Sequence, residues 1–204
     1  MKGEIEHRIL ETAERAFAEH GFRAVGVDAL AHACGISKVT LYRYVRSKDA
    51  LIAAVLRSRC EAIRTALHAA QEAAPPGMAR LRSLFRALDL NGRGDRLLLN
   101  ALFELADDSE VQEIGTDHYE AVRLIVHQVL GELAPPAILD QLSRQIVNLL
   151  RGATVSSLLD RPGVATQDAW ECAVQLVQYA RLPVSHHLRS HAGRSDDAYT
   201  ADLT

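Results

Sequence analysis

Cysteine, aromatic residues and long apolar runs are all scarce in this sequence of 204 residues. The three cysteines, Cys34, Cys60 and Cys172, are far apart and form no CxxC pair, which excludes a disulfide scaffold. We expect reduced thiols that pack as small apolar residues, with a redox-sensing cysteine as the alternative. No window approaches the 18 consecutive apolar residues of a membrane helix, and the charged N-terminus does not resemble a secretory signal. These absences predict a cytoplasmic protein that does not contact a membrane.

Motifs that carry catalysis or hold a cofactor are also missing. The sequence contains no glycine-rich phosphate loop, no GxSxG, no HExxH and no close Cys/His cluster. Residues 91–94, Asn-Gly-Arg-Gly, are predicted to form a plain loop. His118 and His127 are nine residues apart and share no helix face well, so they make a poor metal pair. We predict no enzyme, no cofactor and no metal site.

Charge is distributed unevenly along a chain that is 48% hydrophobic, enough to bury a core in one or two domains. Residues 1–64 carry 11 Lys and Arg against 8 Asp and Glu, whereas the rest of the chain carries 12 against 18. The basic N-terminal part therefore favours an anionic partner, although a difference of this size is only a weak indication.

Apolar residues recur every three to four positions along nearly the whole chain, and no period-two pattern of strands appears. This periodicity predicts an all-α protein. We place a small helical domain at residues 1–46 and a larger one at residues 47–182. The tail at residues 183–204 lacks periodicity and is predicted to be disordered.

Residues 27–44 contain two short helical patterns joined by a tight turn at residues 34–37. Gly35 supplies the backbone freedom that such a turn needs, and Ser37 is positioned to cap the second helix. Leu41 and Val45 point inward. The other residues of the second helix form its outer face: Lys38, Val39, Thr40, Tyr42, Arg43 and Tyr44. Cations, hydroxyls and methyl groups suit phosphates and base edges, so this face is a candidate surface for double-stranded DNA.

Five short signatures around this segment resemble the TetR family of transcriptional regulators. They are Gly21-Phe22, Leu30-Ala31, Gly35-Ile36-Ser37, Thr40-Leu41-Tyr42 and Ser47-Lys48-Asp49-Ala50-Leu51, in the family's order and spacing within residues 5–56. The resemblance implies a three-helix DNA-binding domain, a larger helical domain that binds a small ligand, and a homodimer held by the last two long helices.

Site residues are carried over from the resemblance by position. Thr40, Tyr42 and Lys48 match positions that contact DNA, with Tyr42 and Lys48 on phosphates. Lys38, Val39, Thr40 and Tyr44 are then placed for the major groove, and Arg43 for a phosphate or solvent. The chain departs from the family pattern at Val25 and Gly26, where hydroxyl side chains are common, so no side-chain phosphate contact is expected there.

The larger domain supplies the remaining candidates. By analogy with the family, an effector cavity is expected among Phe85, Phe103, His118, Tyr119 and Val122, with core packing as the alternative for each. Few charged residues fall within the apolar stripes of these helices, which favours an apolar or aromatic effector. Apolar positions of the last two helices are the expected dimer contacts: Leu142, Ile146, Leu149, Leu150, Ala153, Ala173, Leu176, Val177 and Ala180.

The sequence thus predicts a ligand-released repressor that binds a palindromic operator as a homodimer. Two other interpretations remain open. One is a helical adaptor that binds proteins and not DNA, and the other is a DNA-binding regulator without an effector.

Overall fold

The computed structural model describes residues 2–90, 92–157 and 163–181, and this part of the chain contains helices and no strand. Its α-helices are α1 (Lys2–His20), α2 (Val27–Ala33), α3 (Lys38–Tyr44), α4 (Lys48–Ala73), α5 (Met78–Leu90), α6 (Gly92–Glu104), α7 (Ser109–Leu130), α8 (Leu139–Ser156) and α9 (Val164–Ala180). The all-α class is confirmed. The predicted tail at residues 183–204 lies outside the described residues. None of the described helices has the length and hydropathy of a membrane span.

The helix-turn-helix predicted at residues 27–44 is confirmed as α2 and α3. The Ile36 N–H donates to the Ala31 carbonyl at 3.0 Å and closes the turn, while Gly35 adopts a φ of +66°. That φ favours glycine because a Cβ would be strained there. Leu30 and Leu41 are fully buried, with 1% and 0% exposure. Their packing in the core fixes the angle between the two helices.

Helix α4 passes through both apolar cores of the protein. Ser47 caps its start by accepting the Ala50 N–H at 3.0 Å. With 26 residues the helix is about 39 Å long at ~1.5 Å per residue. Its first turns belong to the head core, whose large, fully buried side chains are Ile9, Phe17, Phe22, Leu30, Leu41, Leu51 and Leu56. Its later turns belong to the body core, in which those side chains are Ile63, Leu67, Leu81, Leu84 and Phe85.

The head core is not built by α1 to α4 alone. Leu97, Leu98 and Ala101 of α6 and Val111 and Ile114 of α7 are buried in it. The head core therefore extends across the predicted domain boundary at residue 46. A head of about 46 residues is below the size at which a chain readily buries enough apolar surface by itself.

Helix α6 begins earlier than predicted. Residues 91–94 were expected to form a loop because they contain two glycines, yet the helix runs from Gly92. Glycine costs a helix about 1 kcal/mol relative to alanine, and burial of Leu97, Leu98 and Ala101 can offset such a cost.

The residues expected to contact a partner on α8 and α9 mostly face inward, so that expectation needs correction. Six of them are buried in the chain's own body core: Leu142, Ile146, Leu150, Ala153, Ala173 and Val177. The other three, Leu149, Leu176 and Ala180, are partly buried against the same core. Periodicity identifies the apolar face of a helix, but it does not say whether the same chain or a second chain covers that face.

Candidate nucleic-acid interface

Helix α3 is held by one cap and one buried side chain. Ser37 Oγ accepts the Thr40 N–H at 3.1 Å, which confirms the predicted cap. Leu41, with 0% exposure, anchors the opposite side of the helix in the head core. A helix of seven residues has little stability of its own, so these contacts and the turn before it set its orientation.

The outward side of α3 carries most of the side chains that the sequence placed there. Val39 is 75% exposed and Tyr42 is 44% exposed, and Arg43 is exposed as well. Thr40 is half-buried, with its hydroxyl 2.9 Å from Ser37 Oγ. Lys38, Val39, Tyr42 and Arg43 therefore form the accessible surface of this helix.

Tyr44 differs from its predicted position. Its side chain is partly buried and packs against the head core, although it was expected on the outer face. It is the last residue of a short helix, where the chain turns back toward α4. Tyr44 therefore packs on the inward side of α3. This position does not favour a contact between its ring and the major groove of DNA.

Lys38 is paired with an acid that the sequence analysis did not single out. Its Nζ lies 2.9 Å from Asp28 Oδ1, which links the first turns of α2 and α3. The hydrogen bond and the charge of Asp28 raise the pKa of Lys38 above its ordinary value. To contact a guanine, Lys38 must either break its ion pair with Asp28 or move together with the Asp28 side chain. Only spatial pairing reveals this constraint, since the two residues are ten positions apart.

Lys48 lies at the start of α4, beside the loop that follows α1. Its Nζ donates to the Arg23 carbonyl at 3.3 Å. The N-terminus of α4 adds the positive end of a long helix dipole, and its first free N–H groups point the same way. The ammonium group and the helix end together suit a phosphate.

The start of α2 has no side-chain cap. Gly26 is the N-cap, as predicted, and has an extended backbone without a side-chain hydrogen bond, while Val25 is 5% exposed and belongs to the head core. No side-chain hydroxyl is therefore available at this position, and the candidate DNA-contacting side chains lie on α3 and at the start of α4.

Glu104, at the end of α6, clamps the loop after α1. Its carboxylate accepts the Phe22 N–H at 2.9 Å and the Arg23 N–H at 2.6 Å, and Arg23 Nε donates to the Glu104 carbonyl at 2.9 Å. Because Arg23 also accepts from Lys48, a chain of hydrogen bonds runs from α6 to the candidate phosphate site. No local pattern in the sequence indicates this clamp, since its partners are 82 residues apart.

Four of the five residues expected around an effector cavity line two adjoining hollows of the body. His118, Tyr119 and Val122 of α7 line the larger one, of about 400 Å³ including its open mouth, and Phe85 of α5 lines the smaller one, of about 280 Å³. Phe103 is an exception. It is 80% exposed on the outside of α6, so its assignment to the cavity is corrected. The described residues contain no group of three or more side chains that could hold a metal ion.

The sequence matches to known proteins cover about a quarter of the chain, and the family match lies near its N-terminal end. A profile of the family described as bacterial regulatory proteins, tetR family, matches residues 9–55. The chain is 49% identical over 45 residues to the transcriptional regulator MftR of Mycobacterium tuberculosis, a segment that is 22% of this chain and 23% of that protein. It is 43% identical over 49 residues to the HTH-type transcriptional regulator UidR of Escherichia coli, or 24% of this chain and 25% of UidR. The chain thus matches about a quarter of the length of these curated relatives.

Solved structures resemble nearly the whole fold. SCO4454, a TetR-family transcriptional regulator from Streptomyces coelicolor, has a TM-score of 0.80 and 26% identity, over 87% of this chain and 96% of that chain. A transcriptional regulator from Saccharomonospora viridis, solved in complex with choline, has a TM-score of 0.72 and 19% identity, over 87% of this chain and 97% of that chain. The second likeness concerns the fold alone.

Replacing Asp28 with Asn should tighten binding to any duplex DNA about two- to five-fold. The change removes a negative charge beside the proposed phosphate contacts and frees Lys38 to act as an unpaired cation. Fluorescence anisotropy over a salt series measures it, and the salt slope should become steeper. Asp117→Asn, an exposed change on α7, is the matched control and should change nothing. Weaker binding by the Asp28 variant would mean that Asp28 positions Lys38 for its target.

Replacing Glu104 with Gln should lower the free energy of unfolding by about 1–2 kcal/mol. The backbone N–H groups of Phe22 and Arg23 each donate to a different oxygen of the Glu104 carboxylate, whereas a glutamine has a single acceptor oxygen. One of the two N–H groups would then face the NH₂ group of the amide, which is itself a donor. Glu110→Gln is the control, because it weakens only an exposed ion pair with Arg57 and should cost less than about 1 kcal/mol. Urea denaturation compares the two variants. Equal losses of unfolding free energy would show that the hydrogen bonds of Glu104 contribute no more than the exposed ion pair of Glu110.

Proposed function

Since the chain belongs to the TetR family of transcriptional regulators, we propose that it is a repressor that binds a palindromic operator as a homodimer and is released by a small, apolar or aromatic effector. The proposal depends above all on the outward side of α3, where Val39, Tyr42 and Arg43 remain accessible while Leu41 is fully buried. A helix that only supported a fold would not need an exposed valine and tyrosine beside two cations.

In the proposed complex, α3 lies in the major groove and the start of α4 lies on the backbone. Lys48 and Tyr42 contact phosphates, and Lys38, Val39 and Thr40 face base edges. Two copies of the head would enter successive major grooves about one helical turn apart. Phosphate contacts set the affinity, and the side chains on α3 set the sequence preference.

The homodimer is proposed to form through the outward sides of α8 and α9. On α8 the exposed positions recur every three to four residues: Gln141, Gln145, Asn148, Gly152 and Val155. On α9 the matching stripe is Asp168, Cys172, Gln175 and Tyr179. Val155 and Tyr179 are large apolar side chains with 47% and 65% exposure, which supports a partner on this side. These positions replace the buried ones that periodicity alone indicated.

Effector control is proposed to act through α6. Leu98 of this helix lines the larger hollow and is also buried in the head core, and Glu104 of the same helix clamps the loop beside Lys48. A ligand that displaced α6 would change both contacts with the head. A difference of 1–3 kcal/mol between the two states is enough for release. The neighbour solved with choline supports a small-molecule effector in this fold, while the identity of its ligand is not transferred at 19% identity.

DNA binding is tested with fragments from beside the protein's own gene, in a gel-shift assay over a salt series. Lys48→Ala should weaken binding to every sequence and lower the salt slope by about 0.9, because one phosphate contact is lost. Lys38→Ala and Thr40→Val should instead alter the preference among sequences. Arg64→Ala, an exposed change on α4 away from the head, is the control. The absence of a shift with every genomic fragment would refute DNA binding, and an unchanged slope for Lys48→Ala would refute the docking.

The dimer surface is tested at Gly152, where a Cβ would meet no atom of the same chain within 4 Å. Gly152→Trp should therefore leave the monomer fold and its helicity intact while weakening dimerisation at least ten-fold by steric conflict with the partner. Gly152→Ala is the matched control and should remain a dimer with slightly higher helix stability. Sedimentation velocity distinguishes the species. A tryptophan variant that dimerises like the wild type would place the interface elsewhere.

A further inference from the structure

The larger hollow has an apolar wall and one cation at its mouth. Most of its lining is aliphatic, including Leu88, Val122, Val147 and Leu150, and Arg151 of α8 is the arginine that borders it. The described lining residues of this hollow and of the adjoining one include no Asp or Glu. Among the described lining residues, the guanidinium of Arg151 is therefore the permanent charge that a ligand meets.

Arg151 stands apart from the other poorly exposed arginines. Arg59, Arg80 and Arg123 each have a carboxylate within ion-pair distance, namely Glu14, Glu132 and Glu120. Arg151 is half-buried, and among the described residues no carboxylate lies within ion-pair distance of it. Its guanidinium instead lies 4.7 Å from the centre of the Tyr119 ring. A cation–π contact holds the group in place but does not neutralise its charge.

The position of Arg151 also limits what else can bind. A quaternary ammonium ligand needs a free aromatic face, and the guanidinium already covers one face of Tyr119. A like charge beside Arg151 would be repelled as well. Thr154 adds no donor for a ligand, because its hydroxyl donates to the Leu150 carbonyl at 3.1 Å. A carboxylate, by contrast, accepts two parallel N–H bonds from a guanidinium held in a fixed orientation.

We propose that this hollow binds a small amphiphile with a single carboxylate head and an apolar body. The carboxylate pairs with Arg151 at the mouth, and the apolar body lies among Leu88, Val122 and Val147. The volume of about 400 Å³ includes open solvent outside the hollow, so it is an upper limit on the space that a ligand can fill. The inference rests on the proposed function in one respect only, namely that the hollow is the effector site.

The test uses matched probes below their micellar concentrations: octanoate against octanamide, 1-naphthoate against 1-naphthamide, and octyltrimethylammonium. Calorimetry on the full chain should show that at least one acid binds ten-fold or more tightly than its amide, and that the ammonium probe does not bind. Arg151→Met should remove the preference for the acid while leaving the amide's affinity unchanged. Arg144→Met, an exposed change on the same helix, should keep the preference. Thermal unfolding of both variants checks that they are folded.

The outcomes separate this inference from the proposed function. Equal affinity for acids and amides, retention of the preference by folded Arg151→Met, or no binding of either acid would overturn the carboxylate assignment. None of these results affects a gel shift with operator DNA. Conversely, acids that bind through Arg151 and leave DNA affinity unchanged would confirm the ligand class and refute its role as an effector.

Discussion

The packing of α6 against the head is the contact on which the rest of this structure depends. The head core, which contains Phe17, Leu30 and Leu56 of α1, α2 and α4, also contains Leu97, Leu98 and Ala101 of α6. A head of this size is only marginally stable without such help. The orientation of α3 is therefore tied to a helix that belongs equally to the body.

This shared core explains how a change in the body can affect DNA binding without a dedicated hinge. Packed side chains transmit displacement because protein interiors contain few voids, so a shift of Leu98 at the cavity wall is also a shift in the head core. The Glu104 clamp adds a polar connection on the same helix. Two such contacts of different chemistry make it difficult for α6 to move while the head stays in place.

Local features of the fold could be predicted from the sequence, and features that depend on distant residues could not. Ser37 and Ser47 were recognisable as caps because capping involves neighbours two or three positions away. The inward side of α8 was also recognisable, yet Ile146 and Leu150 were assigned to a partner since a helix pattern does not identify the covering surface. Phe103 was placed in the cavity by analogy with the family, because it lies on a middle helix, whereas it is 80% exposed. Asp28, Glu104 and the unpaired charge of Arg151 become visible only when the helices are brought together.

Gly21 shows how a local signature can mark a long-range contact. Its φ of +82° favours glycine by itself, and a Cβ there would lie 3.1 Å from Glu104 Oε2, close to the carboxylate of the clamp. The neighbouring Phe22 is fully buried and donates its N–H to the same carboxylate. The Gly21-Phe22 pair, which helped to identify the family, does not belong to the outward side of α3. Its residue types are required where the loop packs between the head core and the end of α6, so this signature reflects the connection between head and body, whereas the signature on α3 is the one that the proposed DNA contact would explain.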